Sequence, residues 1–426
     1  MILAGCAAGA RGTSGDDGVT LPDRNVRVRP GITVLLQDSL HLVAGKRVGL
    51  LTNQSGLDAE RRSDIDLLFR ADSGVGQGGA PRLVALFAPE HGIRGTEDRS
   101  NIASGIDERT GLPVHSLYNP TTVEPPDSTL RGLDVLIIDL QDIGTRAWTY
   151  PASMVYAMRA AARNRIAVIV LDRPNPITGT VVEGPLLDAA QTYAGSHSEA
   201  RRANPIALYP IPLRHGLTLG ELARLYNGEL ELGADLTVIP VAGWSRHLWY
   251  DETGLPWVKP SPNMPSLTSA LLYPAIVPFQ ASNLSVGRGT PDAFQRLGAP
   301  WLNADSAVAL LEDRGLNGVQ FVVDRRAPHE PTDGKYGGQV IPWIKIEVLE
   351  RDRVQAARIG AALLWAVNQV NGDSLTLRSE GFDARFGPPA LREALLRGDD
   401  PDSVIDGQLP RVVQFEQRTR QYRLYR

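Results

Sequence analysis

Cysteine is nearly absent: the 426 residues hold one, Cys6. No intrachain disulfide can form, so bridges say nothing about the compartment. Long apolar runs are missing too. No stretch reaches the roughly 18 apolar residues that a membrane helix needs. Neither charge sign dominates, with 44 Lys and Arg against 48 Asp and Glu. No basic run is interleaved with aromatics, so nothing points to a nucleic-acid partner. Walker A, HExxH, paired-Cys zinc and GxSxG patterns are all absent. The seven histidines are dispersed. No motif therefore calls for a cofactor, a metal or a serine nucleophile. The one literal GxGxxG match, Gly74–Gly79, precedes an apolar run. The dinucleotide fingerprint follows a strand and opens a helix, so this match reads as a loose loop.

What is present begins with the position of that cysteine. Leu3–Ala4–Gly5–Cys6 resembles the bacterial lipobox, although only five residues precede the Cys. Residues 7–25 are rich in Gly, Ser and Asp and read as a flexible tether. The expectation is a leader and tether over residues 1–30, with lipidation of Cys6 anchoring an exported, periplasmic or cell-surface lipoprotein. The alternatives are a chance match or a start codon assigned late.

From residue 46 a rhythm sets in. Apolar runs at 46–51, 82–87, 134–139 and 166–171 are continuous rather than alternating, as in strands buried on both faces. Helical spacing lies between them, at 61–70 and from Pro151 onward. Strand alternating with helix predicts parallel βαβ units: an α/β fold with a Rossmann-like parallel sheet, over residues 31–292. Thr218–Leu219–Gly220–Glu221 reads as a capping box opening a further helix, and 236–241 as a strand. Residues 251–292 lack a steady period and read as loop, a length usually kept for function. Helix 304–314, strands 317–323 and 341–349 and helix 351–370 predict a smaller C-terminal α+β domain over residues 293–426.

Ligands of open parallel sheets bind outside the carboxyl ends of the strands. Four strand endings are polar here. TNQSG brings Asn53 and Gln54. APEHGIRG brings Glu90, His91 and Arg94. LQDIGTRAWTY brings Gln141, Asp142, Arg146, Trp148 and Tyr150. DRPNP brings Asp172, Arg173 and Asn175. Each loop alone is ordinary turn chemistry; four together predict a binding cleft. Glu90 ends a core strand, where partial desolvation favours a protonated general acid. Its alternative is a salt bridge with Arg94 or another arginine. His91 is a second acid/base or a hydrogen-bonding orienter. Asp142 and Asp139 are candidates for a second carboxylate, Asp139 being the more structural by its place in the strand. Trp148 and Tyr150 suit a sugar face or a core.

These motifs, with VVEGPLLD, PIPLRHGLTLGELA, SPNMP, NLSVGRGT and Lys335–Gly338, resemble the YbbC/NamZ family, long a domain of unknown function. Characterised members are exo-β-N-acetylmuramidases acting on peptidoglycan fragments. The resemblance implies a Rossmann-like domain and a smaller C-terminal domain with the active site between them. It implies release of N-acetylmuramic acid (MurNAc) from non-reducing ends, without a cofactor. Glu90 inherits the leading catalytic role, with His91 beside it. The second catalytic group is Asp142, Glu183 or the substrate's own 2-acetamido oxygen. Arg94, Arg146 and Arg288 are candidates for the lactyl carboxylate. Arg288 sits between two glycines, which allow close approach to a ligand. Asn53, Gln54, Gln141, Tyr150, Asn175, Asn263 and Ser285 complete the substrate-binding candidates. The rival reading is a non-catalytic surface lipoprotein that captures muropeptides or another anionic sugar.

Overall fold

The apolar runs become strands because both of their faces are covered. In the computed structural model, which describes residues 27–73, 79–94, 103–118, 123–196 and 204–426, β1 (Arg47–Thr52), β2 (Arg82–Ala88), β5 (Val135–Asp139) and β6 (Ala167–Leu171) are almost wholly buried. Together with β3 (Gly105–Ile106), β4 (Pro113–Ser116) and β7 (Leu236–Ile239) they form a seven-stranded sheet in the order β3-β4-β2-β1-β5-β6-β7. All neighbours pair in parallel except β3 with β4. The strand order reverses at β1, which has β2 on one side and β5 on the other. A cleft therefore opens beyond the carboxyl ends of these three strands. Cys6, the tether 7–25 and most of the GxGxxG match lie outside the described residues.

The helices follow their sequence signals. Tyr150–Arg163 has Pro151 in its first turn. Leu219–Glu229 opens on the capping box: Thr218 Oγ1 accepts from Glu221 N at 3.2 Å, and the Glu221 carboxylate accepts from Thr218 N at 3.1 Å. The second sheet is antiparallel, in the order β8 (Arg296–Gly298), β10 (Ile341–Val348), β9 (Val319–Arg326). Helices Ala304–Glu312 and Ala356–Asn371 cover it, and four further helices between Ser379 and Thr419 follow. One apolar core runs unbroken from Leu51 and Ile138 of the first sheet to Ile344 and Leu363 of the second lobe.

Two expectations need correction. Residues 251–292 contain a ten-residue helix, Leu267–Ile276. It is buried on every side from Ser269 to Ile276 and carries Pro274, so it has no polar stripe to reveal a helical period. The helix expected from residue 351 begins at Ala356, because Arg351–Arg353 form a separate 3₁₀ turn in which Arg351 pairs with Asp251 at 2.7 Å and Glu252 at 2.9 Å.

The last residues return to the first sheet. Tyr425 Oη donates to Asp172 Oδ2 at 2.6 Å and accepts from Val241 N at 2.8 Å. Leu424 N donates to Glu221 Oε1 at 2.8 Å. This return ties the C-terminus back to the first sheet, in addition to the shared core and the chain crossing in the helix Leu267–Ile276.

Behind the cleft floor lies a buried charge cluster. Arg173 donates to both oxygens of Asp139, at 2.5 and 2.9 Å. Asp64, fully buried beside them, bonds Thr52 Oγ1. Burial first, and the Asp139 charge second, push the Asp64 carboxyl well above the usual carboxylate range. A carboxyl so raised holds its proton more tightly in the folded chain than in the unfolded one. Stability is then lost as pH rises from the unfolded value toward the folded one. Asp64→Asn keeps an acceptor for Ile65 N, and its amide can donate to Thr52 Oγ1 once that hydroxyl, which donates to Asp64 in the parent, turns to its other acceptor, Asn53 O. It is expected to melt roughly 2–4 °C above the parent at pH 8. The gain should shrink toward pH 4, and a gain constant across that range in thermal melts would disprove the assignment.

Candidate active site

Glu90 stands two residues past the end of β2, where the chain turns sharply. His91 and Gly92 both adopt left-handed backbone, each with φ 72°. For His91 this is costly and is held by the surrounding fold. Glu90 makes no ion pair with Arg94. Instead Thr149 Oγ1 donates to Glu90 Oε2 at 2.6 Å. Thr149 directly precedes the helix Tyr150–Arg163, a position whose hydroxyl ordinarily caps the helix. Here it makes no cap bond. The first-turn amides of Ala152 and Ser153 use the Thr149 carbonyl instead, at 3.1 and 3.2 Å. The hydroxyl is therefore spent on Glu90, fixing one of its carboxyl oxygens.

Glu90 lines a cavity of about 440 Å³ between the two lobes. The parallel-sheet half supplies Glu90, His91, Trp148 and Thr149; Arg288, Thr332, Asp333, Arg378 and Arg385 follow the helix Leu267–Ile276, Arg288 standing short of residue 293, where the sequence placed the start of the second domain. Trp148 and Tyr273 form an apolar wall, meeting edge to face with ring centroids 5.6 Å apart. The opposite character comes from the arginines. Arg288 donates to Thr332 Oγ1 at 2.9 Å and lies over the Phe294 ring. Arg378 donates to Gln280 O at 3.1 Å, and Arg385 to Gly381 O at 2.8 Å. The guanidiniums of Arg378 and Arg288 both act on Arg385. Arg385 is lowered, first by burial, and Arg378 and Arg288 push the same way while Tyr273 and Glu90 oppose. Burial likewise brings the neighbouring Lys335 ammonium down to about 8, with Asp333 opposing and the same three arginines adding to the fall. Three guanidiniums lining one cavity suit it to an anion.

Of the predicted site residues, Glu90, His91, Trp148 and Arg288 line this cavity. Asn263 braces its edge, Nδ2 donating to Thr332 Oγ1 at 3.3 Å. Tyr150 lies behind Trp148, its hydroxyl bonded to Pro260 O. Most of the others hold loops. Asp142 Oδ2 accepts from Gly144 N at 2.6 Å and lies 3.4 Å from His215 Nε2. Gln141 donates to Asp142 O and Pro174 O, and Asn175 to Leu217 O. Asn53 Oδ1 accepts from Ser55 N and Oγ, and Gln54 donates to Lys259 O. Glu183 accepts from Ala356 N at 3.1 Å and pairs with Arg214. Ser285 Oγ accepts from Gly287 N. Arg146 is fully enclosed and donates to four carbonyls, those of Pro185, Ile211, Arg385 and Phe386. It fastens the segment that presents Arg385 rather than meeting a ligand. Arg94 pairs with Asp107 outside the cavity. The glycines around Arg288 serve the chain itself: a Cβ on Gly289 (φ 76°) would fall 2.5 Å from His329 O. The common cause is that irregular loops expose main-chain groups which must be paired, and polar strand-end residues pair them.

Thr149, Tyr273, Thr332, Asp333, Arg378 and Arg385 are the functional candidates that sequence reasoning missed. Thr149 stood inside a quoted motif. Arg385 occupies the last turn of Ser379–Phe386, where a cation reads as an ordinary partner of the helix end.

Both halves of the chain match known proteins. The family model for the N-terminal part of exo-β-N-acetylmuramidase NamZ matches residues 48–268, and that for its C-terminal part matches residues 271–425. The peptidoglycan β-N-acetylmuramidase NamZ of Bacillus subtilis (strain 168) is 37% identical over 401 residues, 94% of this chain and 92% of that protein. Two solved DUF1343 family proteins of Bacteroides fragilis NCTC 9343 share the fold. One has a TM-score of 0.83 at 32% identity, covering 94% of this chain and 100% of that one. The other has 0.72 at 28%, covering 94% and 99%. With both of its lobes matched in order, the chain belongs to the exo-β-N-acetylmuramidase NamZ family.

Proposed function

We propose that this chain is a glycoside hydrolase releasing terminal, non-reducing MurNAc from peptidoglycan fragments, with Glu90 as general acid. The observation that carries the reading is the pairing of one hydroxyl-clamped carboxyl with three arginines in a single cavity. Hydrolysis of a glycoside needs a proton for the leaving oxygen and a second group to meet the sugar cation. MurNAc adds a lactyl carboxylate, which Arg288, Arg378 and Arg385 are suited to bind. Trp148 and Tyr273 give an apolar wall for the sugar face. Asp142 and Glu183 are committed to main-chain amides and structural partners. That leaves the substrate's 2-acetamido oxygen as the second group, from among the candidates the sequence raised. Family membership and the name of the Bacillus subtilis relative support the same substrate class.

The test is incubation with the disaccharide MurNAc–GlcNAc, followed by NMR. Free MurNAc is the expected product, appearing first as the β-anomer if the acetamido group takes part. Binding without any product would return the chain to the rival class of sugar receptors.

Thr149 offers a finer check. Thr149→Val removes the hydroxyl and is expected to lower kcat about tenfold, the cost of one hydrogen bond to a carboxyl group. Thr149→Ser should recover most of the rate. Equal rates in the two variants would show that the hydroxyl does not orient Glu90.

A further inference from the structure

Lys335 stands behind the arginine side of the cavity without lining it. Thr332 and Asp333, on the same loop, do line it, and so does Gln280. The Lys335 side chain is half-buried, and its ammonium donates to Leu284 O at 2.8 Å and to Gln280 O at 3.3 Å. The next residue, Tyr336, donates to Asn283 O at 2.5 Å, and His329 N to Gly289 O at 2.8 Å. The loop 328–339 is thereby clipped onto segment 280–289, which carries Arg288.

Gln280 O is shared by two cations, because it also accepts from Arg378 at 3.1 Å. The neighbouring carboxylate does not pair with the ammonium. Asp333 Oδ1 instead accepts from the main-chain N of Lys335 at 3.3 Å. Asp333 is also exposed, so water screens its charge. The charged groups acting on the ammonium are therefore Asp333 from its own loop, Arg288 from the clipped segment, and Arg378 and Arg385 from either end of the helix Ser379–Phe386. Burial brings the ammonium down to about 8; Asp333 opposes, and the three arginines add to the fall.

We infer that Lys335 is a specificity-determining residue of the anion site: its positive charge, set behind the arginines, strengthens the binding of a carboxylate that it does not touch. The inference rests on the reading of the cavity given above. A carboxylate arriving among Arg288, Arg378 and Arg385 brings negative charge to a group of four cations. It therefore tightens the hold of Lys335 on its proton. By reciprocity, the proton on Lys335 tightens the hold on the carboxylate by the same factor. The sign follows directly. Preference for a carboxylate-bearing sugar is fullest below about pH 8, where Lys335 is charged, and falls as pH rises through that value. The lactyl group itself stays ionised across this range, as carboxylates titrate near pH 4.

The test is calorimetry with the methyl β-glycosides of MurNAc and GlcNAc from about pH 7 to pH 9, in the parent, Lys335→Met and Lys335→Arg. In the parent, the ratio of the two Kd values is expected to fall about fivefold across that range, just short of the tenfold that one unit of pKa coupling carries. Binding of the MurNAc glycoside near pH 8.5 should take up part of a proton, read by repeating the titration in buffers of different ionisation heat. Lys335→Met should show the weaker preference at both ends of the range, with no proton uptake. Lys335→Arg stays charged and should keep the stronger preference throughout. Affinity for the GlcNAc glycoside should match in all three, which reports an intact cavity. A parent preference that is level with pH, without proton uptake, overturns the inference alone. An equally steep fall in Lys335→Arg does the same, by assigning the titration to another group. If a variant does not fold, the parent's proton uptake decides. Equal affinity for the two sugars at pH 7 in the parent overturns the reading of the cavity, and the inference with it.

Discussion

Glu90→Gln is expected to lower kcat for MurNAc release from MurNAc–GlcNAc by about a thousandfold, within the range that a general acid contributes. The fold should be spared. Glu90 is half-buried, and the bond it receives from Thr149 is one that a Gln carbonyl oxygen accepts equally well. Melting temperature is therefore expected to stay within about 2 °C of the parent. A second substrate separates protonation from other roles. An aryl glycoside of MurNAc with a weakly basic leaving group needs little help from an acid. The loss in Glu90→Gln should shrink to tenfold or less on that substrate. Near-normal turnover of the disaccharide would remove Glu90 from the acid's role. A loss equally deep on both substrates would assign it to stabilising the sugar cation instead.

Arg385→Gln carries the next largest expected effect. If Arg385 shares the lactyl carboxylate with Arg288 and Arg378, losing it should raise KM for a MurNAc glycoside about 30-fold, the worth of a charge-assisted bond. The matching GlcNAc glycoside has no carboxylate, and its turnover should barely change. The readout is the preference between the two sugars, which damage to packing alone would not move. Arg385→Lys keeps the charge without the planar fork and should recover only part of the preference. An unaltered preference in Arg385→Gln would move carboxylate recognition to Arg288 and Arg378.

The strands and the site were legible to different degrees for physical reasons. Val135–Asp139 and Ala167–Leu171 are apolar throughout because both of their faces are covered, and such runs declare themselves without help. Leu267–Ile276 is as buried but helical, and uniform burial erased the stripe that marks a helix. Glu90 could be found because the rule on strand ends is positional. The same rule also gathered Asp142, Asn175 and Arg146, whose side chains are spent on main-chain groups. Spacing cannot tell a carboxylate that faces a cavity from one that faces a loop amide. Arg378 and Arg385 belong to the other lobe, more than 200 residues from Glu90. Tertiary packing alone brings them there.

The return of Tyr425 to Asp172 bears on how a sugar gets in. A flap attached by a single strap can swing wide, but a plate riveted at two separated points resists rotation about either. The helix Leu267–Ile276, through which the chain crosses, is one rivet, the bonds from Leu424 and Tyr425 are another, and those from Arg146 to Arg385 O and Phe386 O add to them. Opening by a broad hinge is thereby disfavoured, leaving sideways slip of a few ångströms or rearrangement of rim loops such as the one bearing Thr332. Product escape then proceeds through a doorway whose frame stays still.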